Sequence, residues 1–319
     1  MQQESQILTA IVPESVTGKR LDQVMSHLFE QYSRARLQQW IKAGRVTVEE
    51  QQRKAKDKVY VGERITLKVE ADVEVQWQPE AIPLDIIHED NDILVINKPV
   101  GMVVHPAPGH ASGTLCNALL YHVPQAENLP RAGVVHRLDK ETSGIMVVAK
   151  TLSAHNNLVE SLQAREISRE YVALVQGEMT AGGTVDAPIG RHKVDRKRMA
   201  VLNEYDTGAK HAVTHYRIRQ RYKAYTLLDV KLETGRTHQI RVHMAYIHYP
   251  IVGDPVYGGR TRIPKDCSEQ LRKAIQGFKR QALHAYKLTL QHPTSKQLMS
   301  WQAPIAEDIQ QLLLQLEVL

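Results

Sequence analysis

Beyond residue 85 this chain breaks into short apolar runs, at 92–97, 145–150, 171–176 and 225–232, several bounded by Gly or Pro, and such runs specify strands. Between the middle two, Ser153 stands as the N-cap of a helix that carries Leu158 and Leu162 on one side. The expectation is a mixed α+β domain built around a sheet. The residues before it follow a helical period instead. Leu21, Val24, Met25, Leu28 and Phe29 recur at spacings of three and four, which puts them on one face of an amphipathic helix. A second short helix is expected to start at Ser33 as N-cap, bury Leu37, Trp40 and Ile41, and stop at Gly44. Residues 46–48 and 65–69 then alternate like half-buried strands. The aperiodic stretch 73–83, with Pro79 and Pro83, reads as a linker. The predicted organisation is an N-terminal extension over 1–17, a small domain over 18–76, a linker over 77–84 and the larger domain over 85–319. A chain of 319 residues is long enough for two cores.

Charge points to the partner. Lys and Arg number 41 against 35 Asp and Glu, a net charge of +6, and such an excess favours a polyanion. The excess is local: residues 189–223 hold ten basic side chains (Arg191, Lys193, Arg196, Lys197, Arg198, Lys210, Arg217, Arg219, Arg221 and Lys223) and three acidic ones. By itself that run also fits a solvated loop and an exposed strand face. Only Cys116 and Cys267 are present, which excludes a disulfide framework and a four-cysteine zinc site and fits a reducing compartment. The opening MQQESQILTA does not read as a signal peptide, and no apolar run reaches the roughly 18 residues of a membrane span, so a cytoplasmic protein with no membrane partner is expected. There is no phosphate-binding G-x-x-x-x-G-K-[ST] loop and no Cys-x-x-Cys pair, and His238 and His243 stand five apart, so neither a metal nor an organic cofactor is expected.

Three segments can carry chemistry. Residues 133–144, Gly-Val-Val-His-Arg-Leu-Asp-Lys-Glu-Thr-Ser-Gly, place a polar stretch at the mouth of an apolar strand, where a rigid scaffold presents side chains well. Within it Asp139 lies between Arg137 and Lys140, and nearby cations favour a carboxylate able to act as nucleophile or base. A surface ion pair fits the same residues. Residues 234–243, Thr-Gly-Arg-Thr-His-Gln-Ile-Arg-Val-His, follow a strand with a Gly turn and a helix start, an anion-binding arrangement that Arg236 and Arg241 would reinforce. A capped helix with solvent-facing arginines fits equally. In the third, Arg169-Glu170-Tyr171-Val172-Ala173, Tyr171 shares a strand face with Ala173 and Val175.

In order and spacing these three segments resemble the motifs of the pseudouridine synthases, in the branch that acts on large-subunit ribosomal RNA. Asn97-Lys98-Pro99, Val104-His105-Pro106 and residues 252–259, Val-Gly-Asp-Pro-Val-Tyr-Gly-Gly, are similar to the same branch. Lys19-Arg20-Leu21-Asp22, Ser33-Arg34-Ala35-Arg36 and Gly44-Arg45-Val46 resemble the S4 RNA-binding domain. One departure from that pattern is Glu49-Glu50-Gln51-Gln52, which stands where an Asn-Gly turn is expected.

The resemblance implies a small S4-like domain of two helices and a sheet, then a mixed, mainly antiparallel sheet with flanking helices, together an α+β protein. It implies an isomerase that converts uridines of large-subunit (23S) ribosomal RNA, in a hairpin loop, to pseudouridine. Its partner would be that RNA or the assembling large subunit, and the protein a monomer. The roles carried over are Asp139 as catalytic residue, Tyr171 as platform for the target base and aid in proton removal, and Arg241 as partner of Asp139, with Arg236 nearby. Arg137 would enter the RNA stack in place of the flipped base, and His136, Arg236, Arg34, Arg36, Lys42 and Arg45 would contact RNA. Other readings are a synthase for another ribosomal or transfer RNA site, and a non-catalytic RNA-binding assembly factor. A glycoside hydrolase would need a second carboxylate about 5 to 9.5 Å from the first, for which Glu141 is the candidate.

Overall fold

The computed structural model describes residues 6–30, 32, 34–69, 77–106, 112–195, 198–264 and 267–317, with the backbone alone at Gln6, Ala35 and Arg36. The chain separates into two units, Met1–Gln76 and Trp77–Leu319. In the first, β1 (Gln6–Ile11), α1 (Leu21–Leu28), α2 (Arg34–Lys42), β2 (Val46–Val48), β3 (Gln51–Gln52) and β4 (Arg64–Val69) follow in order. The four strands form an antiparallel sheet in the order β1-β4-β2-β3. Leu21, Val24 and Met25 of α1 share a buried cluster with Leu37, Trp40 and Ile41 of α2 and Val46, Val48, Ile65 and Leu67 of the sheet. Each such side chain contributes roughly 1.5–3 kcal/mol on burial. These are the residues that periodicity selects.

Two local features of this unit differ from expectation or refine it, and one expectation falls outside the described residues. Residues 6–11, read as part of an extension, pair with β4 along their whole length, from Gln6 opposite Val69 to Ile11 opposite Arg64. Ser33, the expected N-cap of α2, lies outside the described residues. The turn between β2 and β3 is made by Glu49 and Glu50, with φ of 48° and 62°. Two consecutive left-handed residues are the signature of the type I′ hairpin turn, so the geometry is reached without Asn-Gly and at a steric cost. Gly44, at φ 73°, ends α2 as anticipated.

The second unit is a nine-stranded sheet with helices around it. Its elements are β5 (Ile86–Glu89), β6 (Ile93–Lys98), α3 (Leu115–His122), β7 (Ser143–Ala149), α4 (Leu152–Gln163), β8 (Ser168–Gln176), β9 (Gly183–Asp186), β10 (Ile189–Arg191), β11 (Met199–Val201), β12 (Val213–Tyr222), β13 (Tyr225–Leu232), α5 (Gln239–Tyr246), α6 (Glu269–Gly277), β14 (Leu283–Gln291), β15 (Leu298–Gln302) and α7 (Glu307–Leu316). The sheet runs β5-β6-β7-β14-β8-β13-β12-β9, with β15 on β14, while β10 and β11 form a separate ribbon. Every pairing is antiparallel except β7 with β14. The α+β class and the mainly antiparallel sheet thus match the expectation. Residues 77–84, read as a linker, lie against this unit: Trp77 and Leu84 pack on its core and the Asn117 side chain donates to the Gln78 carbonyl at 2.9 Å.

The N-cap of helix α4 lies two residues before the expected one. Thr151, not Ser153, accepts the N–H of Ala154 at 3.2 Å. All seven residues of β7 are buried, as suits a strand covered on both faces. At its start Gly144 meets β14 so closely that a Cβ would fall 2.1 Å from the Ala285 carbonyl oxygen, and its φ of 117° is open only to glycine. That contact fixes where the loop before β7 leaves the sheet.

Candidate active site

The loop 134–142 reaches β7 under tight backbone control. The Lys140 carbonyl accepts from Gly101 N at 2.9 Å and from Lys98 Nζ at 3.2 Å, and the Glu141 carbonyl accepts from Arg280 Nη1 at 3.2 Å. Lys98 is fully buried and also donates to the carbonyls of Pro99 and Met102. Burial pushes its pKa down to about 8, against partial support from Glu141 and Asp139. Held this way, Asp139 turns into a cavity of about 670 Å³ that Tyr171, Arg241, Arg137, His136 and Arg236 also line.

Arg241 and Asp139 come together from elements 102 residues apart. Helix α5 has no solvent face over its first two turns, since Gln239 to Met244 are all buried. Its polar side chains are satisfied inside: His243 meets Thr214 Oγ1 and the Ala187 carbonyl, each at 2.9 Å, and Gln239 donates to the Val213 carbonyl at 2.9 Å. Arg241 is therefore aimed inward. Its Nη1 donates to Asp139 Oδ2 at 2.9 Å, while Nε and Nη2 donate to the two oxygens of Asp254 at 2.6 and 3.0 Å. Asp254 has no exposed side-chain surface and also accepts the N–H groups of Val256 and Tyr257. Burial works against its charge, yet Arg241 and these two donors hold the carboxyl below the usual range. For Arg241 burial is likewise outweighed by Asp254 and Asp139, and its pKa is raised.

The residues around this pair differ in kind. Tyr171 is 6% exposed, and its hydroxyl finds no protein partner among the described residues. Burial, with a smaller opposing effect from Arg169, raises its pKa, so it stays a phenol near neutrality. His136 accepts the N–H of Val147 on Nε2 at 3.1 Å. Burial, helped by Arg169, lowers it to about 3, so it is a neutral ring with its proton on Nδ1 and offers RNA no positive charge. His238 is a residue that sequence reasoning missed. It takes φ 56° before α5, places Nδ1 2.9 Å from Tyr257 Oη and brings Nε2 within 3.9 Å of Asp139 Oδ1. Burial lowers its pKa, with Asp139 opposing.

Two expectations for these segments change. The start of α5 is not an open anion site, because the Gln239 side chain accepts both Thr234 Oγ1 and the Arg236 N–H, at 2.8 and 2.9 Å. Glu141, the second carboxylate a glycosidase would need, does not line the cavity. The basic run is also partly engaged: Arg219 pairs with Asp229 and lies over the Tyr286 ring, Arg221 donates to the carbonyls of Met179 and Thr180, and Lys193 pairs with Asp206. Arg196 and Lys197 lie outside the described residues.

In the small unit, Arg34 donates to the buried Asp22 at 3.1 Å, beside Gln38 at 2.7 Å, and keeps half its side chain in solvent. Lys42 is exposed at the end of α2, Arg45 is half-buried after Gly44, and the Arg36 side chain lies outside the described residues. No helix among the described residues is long and apolar enough to cross a membrane. Asp90, Asp92 and His292 bring possible metal donors within 4.8 Å of one another. Asp90 already accepts from the backbone of Asp92 and Ile93 and faces His88 and His292, which accounts for the cluster without an ion. His211 and His215, four apart, each face a carboxylate of their own, Asp186 and Glu233.

A carboxylate clamped by an arginine, in a cavity rimmed by cations, is an arrangement suited to chemistry on a polyanion. Comparison with known proteins agrees. The profile of the RNA pseudouridylate synthase family matches residues 92–246, and that of the S4 domain matches 19–65. Ribosomal large subunit pseudouridine synthase D of Pseudomonas aeruginosa is 55% identical over 304 residues, 95% of this chain and 94% of that protein. The protein of the same name from Yersinia pestis is 53% identical over 307 residues, 96% of this chain and 93% of its own. Among solved structures, human RNA pseudouridylate synthase domain containing 4 aligns with a TM-score of 0.57 at 26% identity, over 73% of this chain and 92% of that one. The chain belongs to the RNA pseudouridine synthase family, and it is an isomerase.

Proposed function

We propose that the protein isomerises uridines of large-subunit ribosomal RNA, in a hairpin loop, and that Asp139 is the residue that does so. The observation that carries the reading is the clamp of Asp139 by Arg241 at 2.9 Å in the cavity that Tyr171 also lines. Making pseudouridine requires breaking the N1–C1′ bond, turning the uracil and rejoining it through C5. A stacked base cannot turn, so it is flipped out at a cost of a few kcal/mol, which an aromatic platform and an intercalating cation offset. Tyr171 is the platform, and Arg137, exposed at the cavity rim, fills the gap left in the RNA. Asp139 either attacks C1′ or takes the 2′ proton to give a glycal, and Arg241 holds its carboxylate toward the sugar. Closing the cavity over the base keeps water from the intermediate, which would otherwise end as an abasic site.

Arg236 at the rim contributes phosphate contacts, while His136 supplies shape and one N–H rather than charge. The S4-like unit over 18–76 adds contacts from Arg34, Arg36, Lys42 and Arg45 to a folded RNA. The protein acts as a cytoplasmic monomer without metal or organic cofactor, free or on the assembling large subunit. The test is to delete the gene, map pseudouridine across ribosomal and transfer RNA by chemical modification and primer-extension stops, and complement with Asp139→Asn. Loss of signal in large-subunit RNA that only the unaltered gene restores is expected. Loss confined to transfer RNA would refute the substrate and spare the chemistry.

A further inference from the structure

Six arginines line the cavity, and they fall into two groups. Arg131, Arg137, Arg165 and Arg236 are exposed at its rim, where hydrated phosphates can reach them. Arg169 and Arg241 are buried, at 8% and 5% exposure. The charge of Arg241 is divided between Asp139 and Asp254. Arg169 has no carboxylate partner among the described residues. Its Nε is buried without any hydrogen bond, and Nη2 reaches the Glu233 carbonyl only at 3.5 Å. A buried guanidinium without a counter-ion is costly, and no carboxylate among the described residues offsets it.

The chain nevertheless builds a place for this group. Strand β8 puts Arg169 on the same face as Tyr171, two residues on. Across the cavity Gly235 leaves room for the guanidinium, since a Cβ there would fall 2.6 Å from Arg169 Nη1. The φ of Gly235 is not in the left-handed range, so space rather than backbone conformation is what a larger residue would take away.

We propose that Arg169 is a further catalytic residue, one that binds the uracil ring after it leaves the sugar and stabilises its negative charge. This rests on the uridine-isomerising role of the same cavity. When the N1–C1′ bond breaks, its electron pair departs with N1, and uracil becomes an anion with charge spread over N1, O2 and O4. If Asp139 attacks, C1′ gains an ester bond that breaks again as C5 bonds to C1′. If Asp139 takes the 2′ proton, it returns that proton at the same stage. Either way C5 loses a proton and N1 gains one, so all atoms of the uridine are conserved. The free anion exists only between the two bonds, and a buried cation with a vacant N–H beside the aromatic platform is matched to that species rather than to the neutral base. It also gives the loose ring an anchor while it turns.

The test uses the full chain and its ribosomal RNA target, with single-turnover rate and RNA affinity measured separately for wild type, Arg169→Gln, Arg169→Lys and Gly235→Ala. Arg169→Gln is expected to slow the bound-state reaction by about 100-fold, the loss typical of one donor to a developing anion. RNA affinity should barely move, and Arg169→Lys should restore part of the rate. Gly235→Ala keeps the charge but displaces it, and should slow the reaction in the same way; it decides the matter if Arg169→Gln does not melt cooperatively. With 6-azauridine at the target position, whose base leaves more readily while keeping C5–H, the Arg169→Gln defect should shrink several-fold. Weaker RNA binding at an unchanged bound-state rate would make Arg169 a phosphate contact and overturn the proposal. So would an equal slowing on uridine and 6-azauridine, which marks a merely structural role. RNA left unmodified by the wild type would overturn the substrate reading and this one with it, whereas a normal Arg169→Gln rate overturns this one alone.

Discussion

Replacing Arg241 by Met should destabilise the larger unit in a way that depends on pH. The substitution keeps much of the side-chain length but leaves Asp254 buried, with two backbone N–H donors and no cation. Breaking a buried pair by removing one partner costs about 3–5 kcal/mol. At roughly 2–4 °C per kcal/mol for a unit of this size, Tm should fall by about 10 °C at pH 7. The sign of the pH effect follows from the Asp254 carboxyl in the two proteins. In the wild type the folded pKa of Asp254 lies below its usual value of 3.8, so its contribution is complete above 3.8 and is lost only as pH falls through the folded value. In Arg241→Met burial is opposed only by the Val256 and Tyr257 N–H donors and raises the folded pKa, so the penalty is present above that raised value and fades as pH falls through it. The gap between the two proteins should therefore narrow between pH 7 and pH 4. Urea unfolding of both, followed by circular dichroism at several pH values in that range, reads it directly. A gap that stays constant with pH, or one at pH 7 no larger than a surface substitution gives, would refute the argument. The double variant Arg241→Met/Asp254→Asn should be more stable than Arg241→Met alone at pH 7, because the orphaned charge is gone while an oxygen remains for the backbone donors.

Asp139→Asn should abolish release of tritium from RNA labelled at uridine C5 while leaving RNA affinity within about threefold, since the carboxylate contributes no cationic contact to the phosphates. Lys98→Met frees the carbonyls that fix the loop at Lys140, and should lower the bound-state rate with a smaller effect on affinity, seen in single-turnover kinetics. Because the folded pKa of Lys98 is about 8 against 10.5 unfolded, the unfolded chain binds the extra proton between those values, so wild-type stability should rise relative to Lys98→Met from pH 8 to pH 10. Arg137→Gln and Arg236→Gln should each weaken RNA binding and reduce its log–log salt slope by about one, measured by titration at several salt concentrations.

The sequence made some of this legible and hid the rest for physical reasons. Runs such as 145–150 and 225–232 announce strands because their burial is local, and α1 and α2 announce themselves through one apolar face each. Residue type alone leaves other readings of Asp139, Tyr171 and Arg241 open; the resemblance of their motifs to the family selects them, and they line one cavity. The pairing of Arg241 with Asp139 is expected from that resemblance, but the second carboxylate on that guanidinium could not be read, because Asp254 lies thirteen residues past Arg241 in a turn and only the packing of α5 brings them together. Helix α5 has polar and apolar residues on every side, so no period signals that it is buried. Arg169 stands in the quoted strand segment, but an arginine at the start of a strand is normally exposed, and its burial without a carboxylate partner among the described residues exists only in three dimensions. His238 stood in a quoted segment, and its left-handed backbone was the unreadable part.

The place of β14 has a consequence for the birth of the protein. Strand β14 separates β7, which carries the Asp139 loop, from β8, which carries Tyr171, with Ala285 opposite both Gly144 and Tyr171. On a ribosome the segments bearing Asp139 and Tyr171 emerge more than a hundred residues before the strand that seats them side by side. A nascent chain thus holds all three motif segments while lacking the wedge that sets their spacing, and such a long-range pairing is slow to form. Chains cut short before residue 283 should therefore be inactive despite containing every motif, which single-turnover assays of such truncated chains would check.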